Sequence, residues 1–178
     1  MAIKSAVRKA ELEIVDMDKH YYETHRLTVA LHPSETDERM MVRILAFALN
    51  AHERLEFGKG ISEAGEPDLW LKDLTGTIEL WIELGHPDAR LLSKAAGRSA
   101  RVVVYAYSAR PGRWLDPIRK ELEGLRNLRI LSVDAASAAA LSLMAGKDMR
   151  LQCTIQDGDV WVRDDEGREV EVKISELL

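Results

Sequence analysis

Apolar and polar positions change their spacing several times along this chain, and each change marks an element. Between Ile3 and Asp16 the apolar Val7, Leu12 and Ile14 stand among charged neighbours and predict a strand. Asp16–His20 is polar and turn-like, and Tyr21–Leu31 reads as a second strand, so the two form an N-terminal hairpin. After His32–Pro33 the spacing becomes helical. Met40, Met41, Ile44, Leu45, Phe47, Ala48 and Leu49 form a broad stripe, predicting a helix from Ser34 to about Glu53. Ser34 is its expected cap, and Glu35 and Arg39, four apart, make a surface pair. Arg54–Ile61 reads as a strand followed by a glycine-containing turn. Gly65–Gly85 then predicts a hairpin with arms Pro67–Lys72 and Thr77–Leu84 around a turn at Asp73–Gly76.

Pro87 opens a second helix, to about Arg98, with Leu91, Leu92, Ala95 and Ala96 on its packed side. The run RVVVYAY at Arg101–Tyr107 suits a strand covered on both faces. A loop at Pro111–Asp116, a helix from Asp116 to about Arg126, and a strand at Leu128–Val133 follow. An alanine-rich helix spans Asp134–Gly146, and Met149–Val172 alternates as a three-stranded meander with turns at Asp157–Gly158 and Asp164–Gly167. The order predicts one α/β (or α+β) domain over residues 1–178 with a mixed sheet. The terminal meander is expected to join the N-terminal hairpin in a second sheet.

Composition narrows the setting. The 178 residues are enough for one domain with a real core, and 46% are hydrophobic. No run approaches the roughly 20 apolar residues of a membrane span. The N-terminal residues carry no apolar leader segment, and Cys153 is the only cysteine, so a cytoplasmic location and no intrachain disulfide are expected. Acids outnumber bases 30 to 25 with the signs interspersed, which counts against a large nucleic-acid footprint but not a short, local one.

The candidate chemistry lies in the central hairpin. Strict alternation places Ile78, Leu80, Ile82 and Leu84 on one face and Glu79, Trp81 and Glu83 on the other. Two carboxylates around a tryptophan are costly on a covered face unless paired or bound to metal. Asp68, at the start of the neighbouring arm, comes near Glu79 or Glu83, and the set is a candidate metal site. Lys94 borders the packed side of the second helix and can carry its ammonium towards the sheet edge, flanked by Arg90 and Arg98. From the pattern alone, a solvated basic flank is the favoured reading of these three residues. His52 and Glu53 close the first helix, where either could face the hairpin, although a solvated helix end is the favoured reading. His20 and His25, five apart, fall on opposite faces of a strand and read as solvated. Trp70 and Trp81 could stack on bases or simply pack.

Five spaced motifs together resemble the YaeQ family of small bacterial proteins: His32-Pro-Ser-Glu-Thr-x-Glu38-Arg39-Met-Met, Glu53-Arg54-Leu-x-Phe57, Glu66-Pro67-Asp68-x-Trp70, Leu80-Trp81-Ile82-Glu83-Leu84-Gly85 and Thr154-Ile155-Gln156-Asp157-Gly158. The resemblance covers essentially the whole chain. It implies a compact variation on the PD-(D/E)XK nuclease core, in which helix, three-stranded meander, helix and strand follow one another. Pro67-Asp68 then takes the "PD" place and Glu83 the "(D/E)" place. Gly85 stands where such a core usually carries lysine, so Lys94 from the following helix is the implied substitute. Glu79 is an alternative carboxylate and Glu53 an additional one. The implied cofactor is Mg²⁺, with Mn²⁺ as a substitute, held by Asp68, Glu83 and the Leu84 carbonyl. The implied activity is phosphodiester hydrolysis of nucleic acid. The competing class is a nuclease-like module that binds nucleic acid or a protein partner without turnover.

Overall fold

The computed structural model describes residues 4–59, 61 and 63–178. The expected strand start at Ile3 lies outside them, as do Gly60, within the strand expected at Arg54–Ile61, and Ser62. In chain order the elements are β1 (Ala6–Asp16), β2 (Tyr21–Leu31), α1 (Asp37–Leu49), β3 (Leu55–Phe57), β4 (Leu69–Lys72), β5 (Ile78–Leu84), α2 (Ala89–Arg98) and β6 (Ser99–Ala106). There follow α3 (Gly112–Leu115), a 3-10 turn at Asp116–Ile118, α4 (Arg119–Leu122), β7 (Leu128–Val133), α5 (Ala135–Ser142), β8 (Asp148–Gln156), β9 (Asp159–Asp164), β10 (Glu169–Val172) and β11 (Ile174–Glu176). Among the described residues no helix is long and apolar enough to cross a membrane. The class is mixed α and β with two mixed sheets, and contacts divide the chain into two compact units.

The first unit holds the residues up to Ala48 and Ala136–Lys173. Its sheet runs β10-β9-β8-β1-β2, joining the N-terminal hairpin to the terminal meander as the alternation predicts. β1 and β8 are parallel, and the other pairs are antiparallel. Ala10, Leu12 and Ile14 are buried while Glu11 and Glu13 between them are exposed, the period of two made physical. Asp157 and Gly158 both take positive φ, 52° and 81°, as a two-residue hairpin turn requires. The Asp18 carboxylate accepts both of their N–H groups, at 2.7 and 2.9 Å.

Helix α1 is shorter than its stripe suggests. Thr36, not Ser34, caps it: Thr36 Oγ1 accepts from Arg39 N at 3.1 Å, while Ser34 is engaged with the His32 ring. The helix stops at Leu49, because the His52 ring and carbonyl accept from Arg54 N and Leu55 N and turn the chain. The expected surface pair is also corrected. Glu35 is buried and bridges Arg39 at 3.2 Å and Arg43 at 2.9 Å, and Arg43 donates onward to the Ala30 carbonyl at 2.7 Å. An i,i+4 spacing identifies the partners but not the depth at which they meet.

The second unit holds Leu49–Ala135 and Ile174–Leu178. Its sheet runs β11-β7-β6-β5-β4-β3, with β5, β6 and β7 parallel and the rest antiparallel. β6 is buried from Val102 to Ala106, which is why its sequence is continuously apolar. Helix α2 covers one face: Ala89, Leu92 and Ala95 pack with Trp81, Val102, Val104 and Ile130. The expected helix from Asp116 to about Arg126 is instead a 3-10 turn at Asp116–Ile118 followed by the short helix α4, with Pro117 removing a backbone donor at the break. The loop expected at Pro111–Asp116 contains α3. Strand β11 was not legible, because three residues on a sheet edge carry no period of their own.

Candidate functional site

The site is built where β4, β5 and α2 meet in the second unit. Leu69 of β4 pairs with Ile82 of β5, and Trp70 with Trp81. Asp68 stands one residue before the Leu69 rung and Glu83 one residue after Ile82. Asp68 N donates to the Ile82 carbonyl at 3.0 Å, and Leu84 N donates to Asp68 Oδ2 at 2.9 Å. The Asp68 side chain therefore closes the end of the ladder, and the residue is 1% exposed. Glu83 is 8% exposed, and its Oε1 accepts from Trp81 Nε1 at 2.8 Å. Trp81 meets Trp70 edge to face at 6.1 Å.

After β5 the chain turns sharply. Gly85 has φ 86°, a conformation that a side chain at this position would oppose, and its N–H donates to the Tyr105 carbonyl at 2.9 Å. The turn delivers Asp88 to the start of α2, where Oδ1 accepts from Leu91 N at 2.7 Å. Beside the turn, His86 stacks on Trp114 at 5.1 Å and shares a hydrogen bond with Ser108 at 2.9 Å. Partial burial pushes the His86 pKa down.

Between α2 and the Trp81–Glu83 segment of β5 lies a groove of about 390 Å³. Its walls include Glu83, Trp81 and the exposed Arg90, Lys94 and Arg98. Asp88 and Glu66 complete the charged lining. The Arg98 guanidinium lies over the Trp81 ring at 5.2 Å. Asp68 is not part of the lining and sits buried behind it.

The remaining residues fall elsewhere. Glu79 does not share the Glu83 face. The β4–β5 register shifts between Leu71 and Lys72, so Leu71 pairs with Leu80 while Lys72 pairs with Ile78. This bulge puts one extra residue in β5 and breaks the alternation. Ile78 therefore packs with the Trp81 cluster, and Glu79 lies near Arg54 at 3.9 Å. Glu53 is exposed on the turn before β3. Among the described residues no group of three or more His, Cys, Asp or Glu side chains is arranged to hold a metal. Asp88, which both caps α2 and lines the groove, is the residue that sequence reasoning passed over. The signal was its position after Pro87, three residues before Leu91.

A second hollow, about 290 Å³, lies on the open sheet face of the first unit among Glu11, Glu13, Arg150 and Arg163. There Glu11 stands beside Arg26 and Arg150 in the strand registers, the arrangement of a solvated sheet face.

Comparison with known proteins places this geometry among relatives. The family model described as YaeQ protein matches residues 1–174. The chain is 41% identical to the uncharacterized protein YaeQ of Salmonella typhi over 165 residues, covering 92% of this chain and 91% of that one. It is 40% identical to the protein of the same name in Escherichia coli (strain K12), covering 93% and 92%. Two solved structures are similar throughout. The crystal structure of YaeQ protein from Xanthomonas axonopodis pv. citri is 46% identical with a TM-score of 0.92, covering 97% of each chain. The crystal structure of YaeQ protein from Pseudomonas syringae is 36% identical with a TM-score of 0.93, covering 98% of this chain and 96% of that one.

Proposed function

We propose that this chain, which belongs to the YaeQ family, is a divalent-metal-dependent nuclease with a PD-(D/E)XK-like core. The observation that carries the reading is the pair of buried carboxylates, Asp68 and Glu83, on adjacent strands, with Lys94 on the wall of the groove that Glu83 enters. The element order supports it: α1, the β3–β4–β5 meander, α2 and β6 follow one another as such a core requires.

Two acids at this depth are expensive unless a cation balances them, and Mg²⁺ binds through one or two carboxylates with water and substrate phosphate completing its shell. Asp68, Glu83 and the Leu84 carbonyl would hold it. When bound, the cation would polarise a phosphoryl oxygen and lower the pKa of a coordinated water. Lys94 would orient the attacking water and offset charge on the phosphorane-like transition state. Trp81 fixes the Glu83 carboxylate through its indole N–H, and Leu84 N–H fixes that of Asp68.

A second reading, a nuclease-like module that binds without turnover, is favoured by Gly85 in the usual lysine place and by the hydrogen bonds each carboxylate already accepts. The two are separated by assaying a labelled oligonucleotide with Mg²⁺ or Mn²⁺, alongside calorimetric titration of the metal. The nuclease reading expects metal-dependent cleavage that Asp68→Asn and Glu83→Gln abolish together with metal binding. Lys94→Met should lose on the order of 100-fold in rate while keeping the metal. Saturable metal binding by neither wild type nor its oligonucleotide complex, in folded protein, would sink the hydrolytic reading.

A further inference from the structure

The groove holds acids and bases in equal number, but they are employed differently. Each acid is already engaged by a neutral donor: Glu66 Oε2 accepts from Lys59 N at 3.0 Å, Glu83 from the Trp81 indole, and Asp88 from Leu91 N. Arg90, Lys94 and Arg98 are exposed, and none is ion-paired with a carboxylate among the described residues. They stand at i, i+4 and i+8 on α2 along a single wall of the groove. At 1.5 Å per residue the steps are about 6 Å and the row about 12 Å long. Arg98 lies over Trp81 at 5.2 Å and donates from one guanidinium nitrogen to the Gly65 carbonyl at 3.4 Å, and the ring itself is buried and closed to stacking by a base.

From this row we infer that the α2 wall is a phosphate ladder for one strand of nucleic acid, with Arg90, Lys94 and Arg98 each meeting a successive phosphate. The inference rests on the nuclease-like reading of the groove and names its substrate form. The step of the ladder is commensurate with the phosphate spacing of an extended strand. With Trp81 covered, contact is to the backbone, so binding is indifferent to base sequence. The chain's overall charge of −5 does not oppose this, because the row is local.

The test measures binding of fluorescent oligodeoxythymidylates one to eight phosphates long to the full-length protein in EDTA, so that cleavage plays no part. Affinity should rise up to three phosphates and then only statistically. The plot of log affinity against log salt should have a slope of about −2, near 0.7 per phosphate for single strands. The double variant Arg90→Gln/Arg98→Gln should weaken binding and reduce the slope to about −0.7. The charge-conserving Arg90→Lys/Arg98→Lys should keep the slope, and circular dichroism would establish that both variants are folded. A slope unmoved by the glutamine pair, a mononucleotide bound as well as a trinucleotide, or equal displacement by poly-glutamate would overturn the ladder. The poly-glutamate result would point to an acidic protein segment instead. Ladder binding without metal-dependent cleavage would leave the ladder standing and defeat the hydrolytic reading. Cleavage with an unmoved slope would do the reverse.

Discussion

At the scale of single residues, burial decides what the charged and reactive groups can do. Cys153 is fully buried, and desolvation, with Asp16 adding to it, pushes its thiol up to about 12. Native protein at pH 8 should therefore resist an aromatic disulfide reagent, and one thiol should react on denaturation. Fast labelling of the folded chain would contradict that burial. Tyr105 is likewise pushed up to about 12 by burial, against the hydrogen bond that Asn50 Nδ2 donates to its oxygen at 2.7 Å. Glu35 holds Arg39 and Arg43 together out of water. Removing one partner of a buried pair leaves the other uncompensated, so Glu35→Ala should cost about 3 kcal/mol in urea unfolding. Sequence spacing found the Glu35–Arg39 pair and missed its depth. Arg43 reaches Glu35 over eight positions, which only the approach of the preceding loop to α1 makes close.

Elements follow local rules wherever those rules are sufficient. The β2 limits, Tyr21–Leu31, are those that alternation predicts, and β7 agrees as well. Helix α2 starts one residue past Asp88 because that carboxylate satisfies a free N–H of its first turn. Asp88→Ala should cost about 1 kcal/mol, read from thermal melting, and should fray the turn that leads to Lys94. Gly58 is constrained from another direction. A Cβ there would stand 2.1 Å from the Pro67 carbonyl oxygen, where Gly58 N donates to Asp68 O at 3.0 Å. Gly58→Ala must push that backbone aside and should destabilise by about 2 kcal/mol. The same variant should weaken any metal binding through Asp68, and calorimetry would detect the change. Periodicity failed at the β4–β5 bulge, where one inserted residue separates Glu79 from Glu83. It also failed between Asp116 and Arg126, where Pro117 interrupts the backbone bonding of an otherwise helical run.

For the whole molecule, pH dependence gathers these local terms. Burial lowers the pKa of His25 in the first unit, against the charge of Glu23, and that of His86 in the second. In each case the unfolded chain binds the proton more readily. The stability they confer is complete above about pH 6.5 and is lost as pH falls through that value towards the folded-state pKa. Melting temperature should drop between pH 7.5 and 5.5, and His25→Gln with His86→Gln should flatten the drop. An unchanged slope in the double variant would assign the acid sensitivity to carboxylates instead. By itself the sequence determined most element types, the hairpin and meander pairings, the α2 stripe and the likeness to the YaeQ family, because periodicity, turn chemistry and motif order are properties of the chain read locally. Tertiary structure alone decided that Asp68 is buried behind the groove while Glu83 enters it. It also moved Glu79 out of line, sank the Glu35 cluster and added β11 to a sheet edge. The reason is common to all four. Depth, register and edge pairing depend on which distant segment arrives alongside, and no local period encodes that arrival.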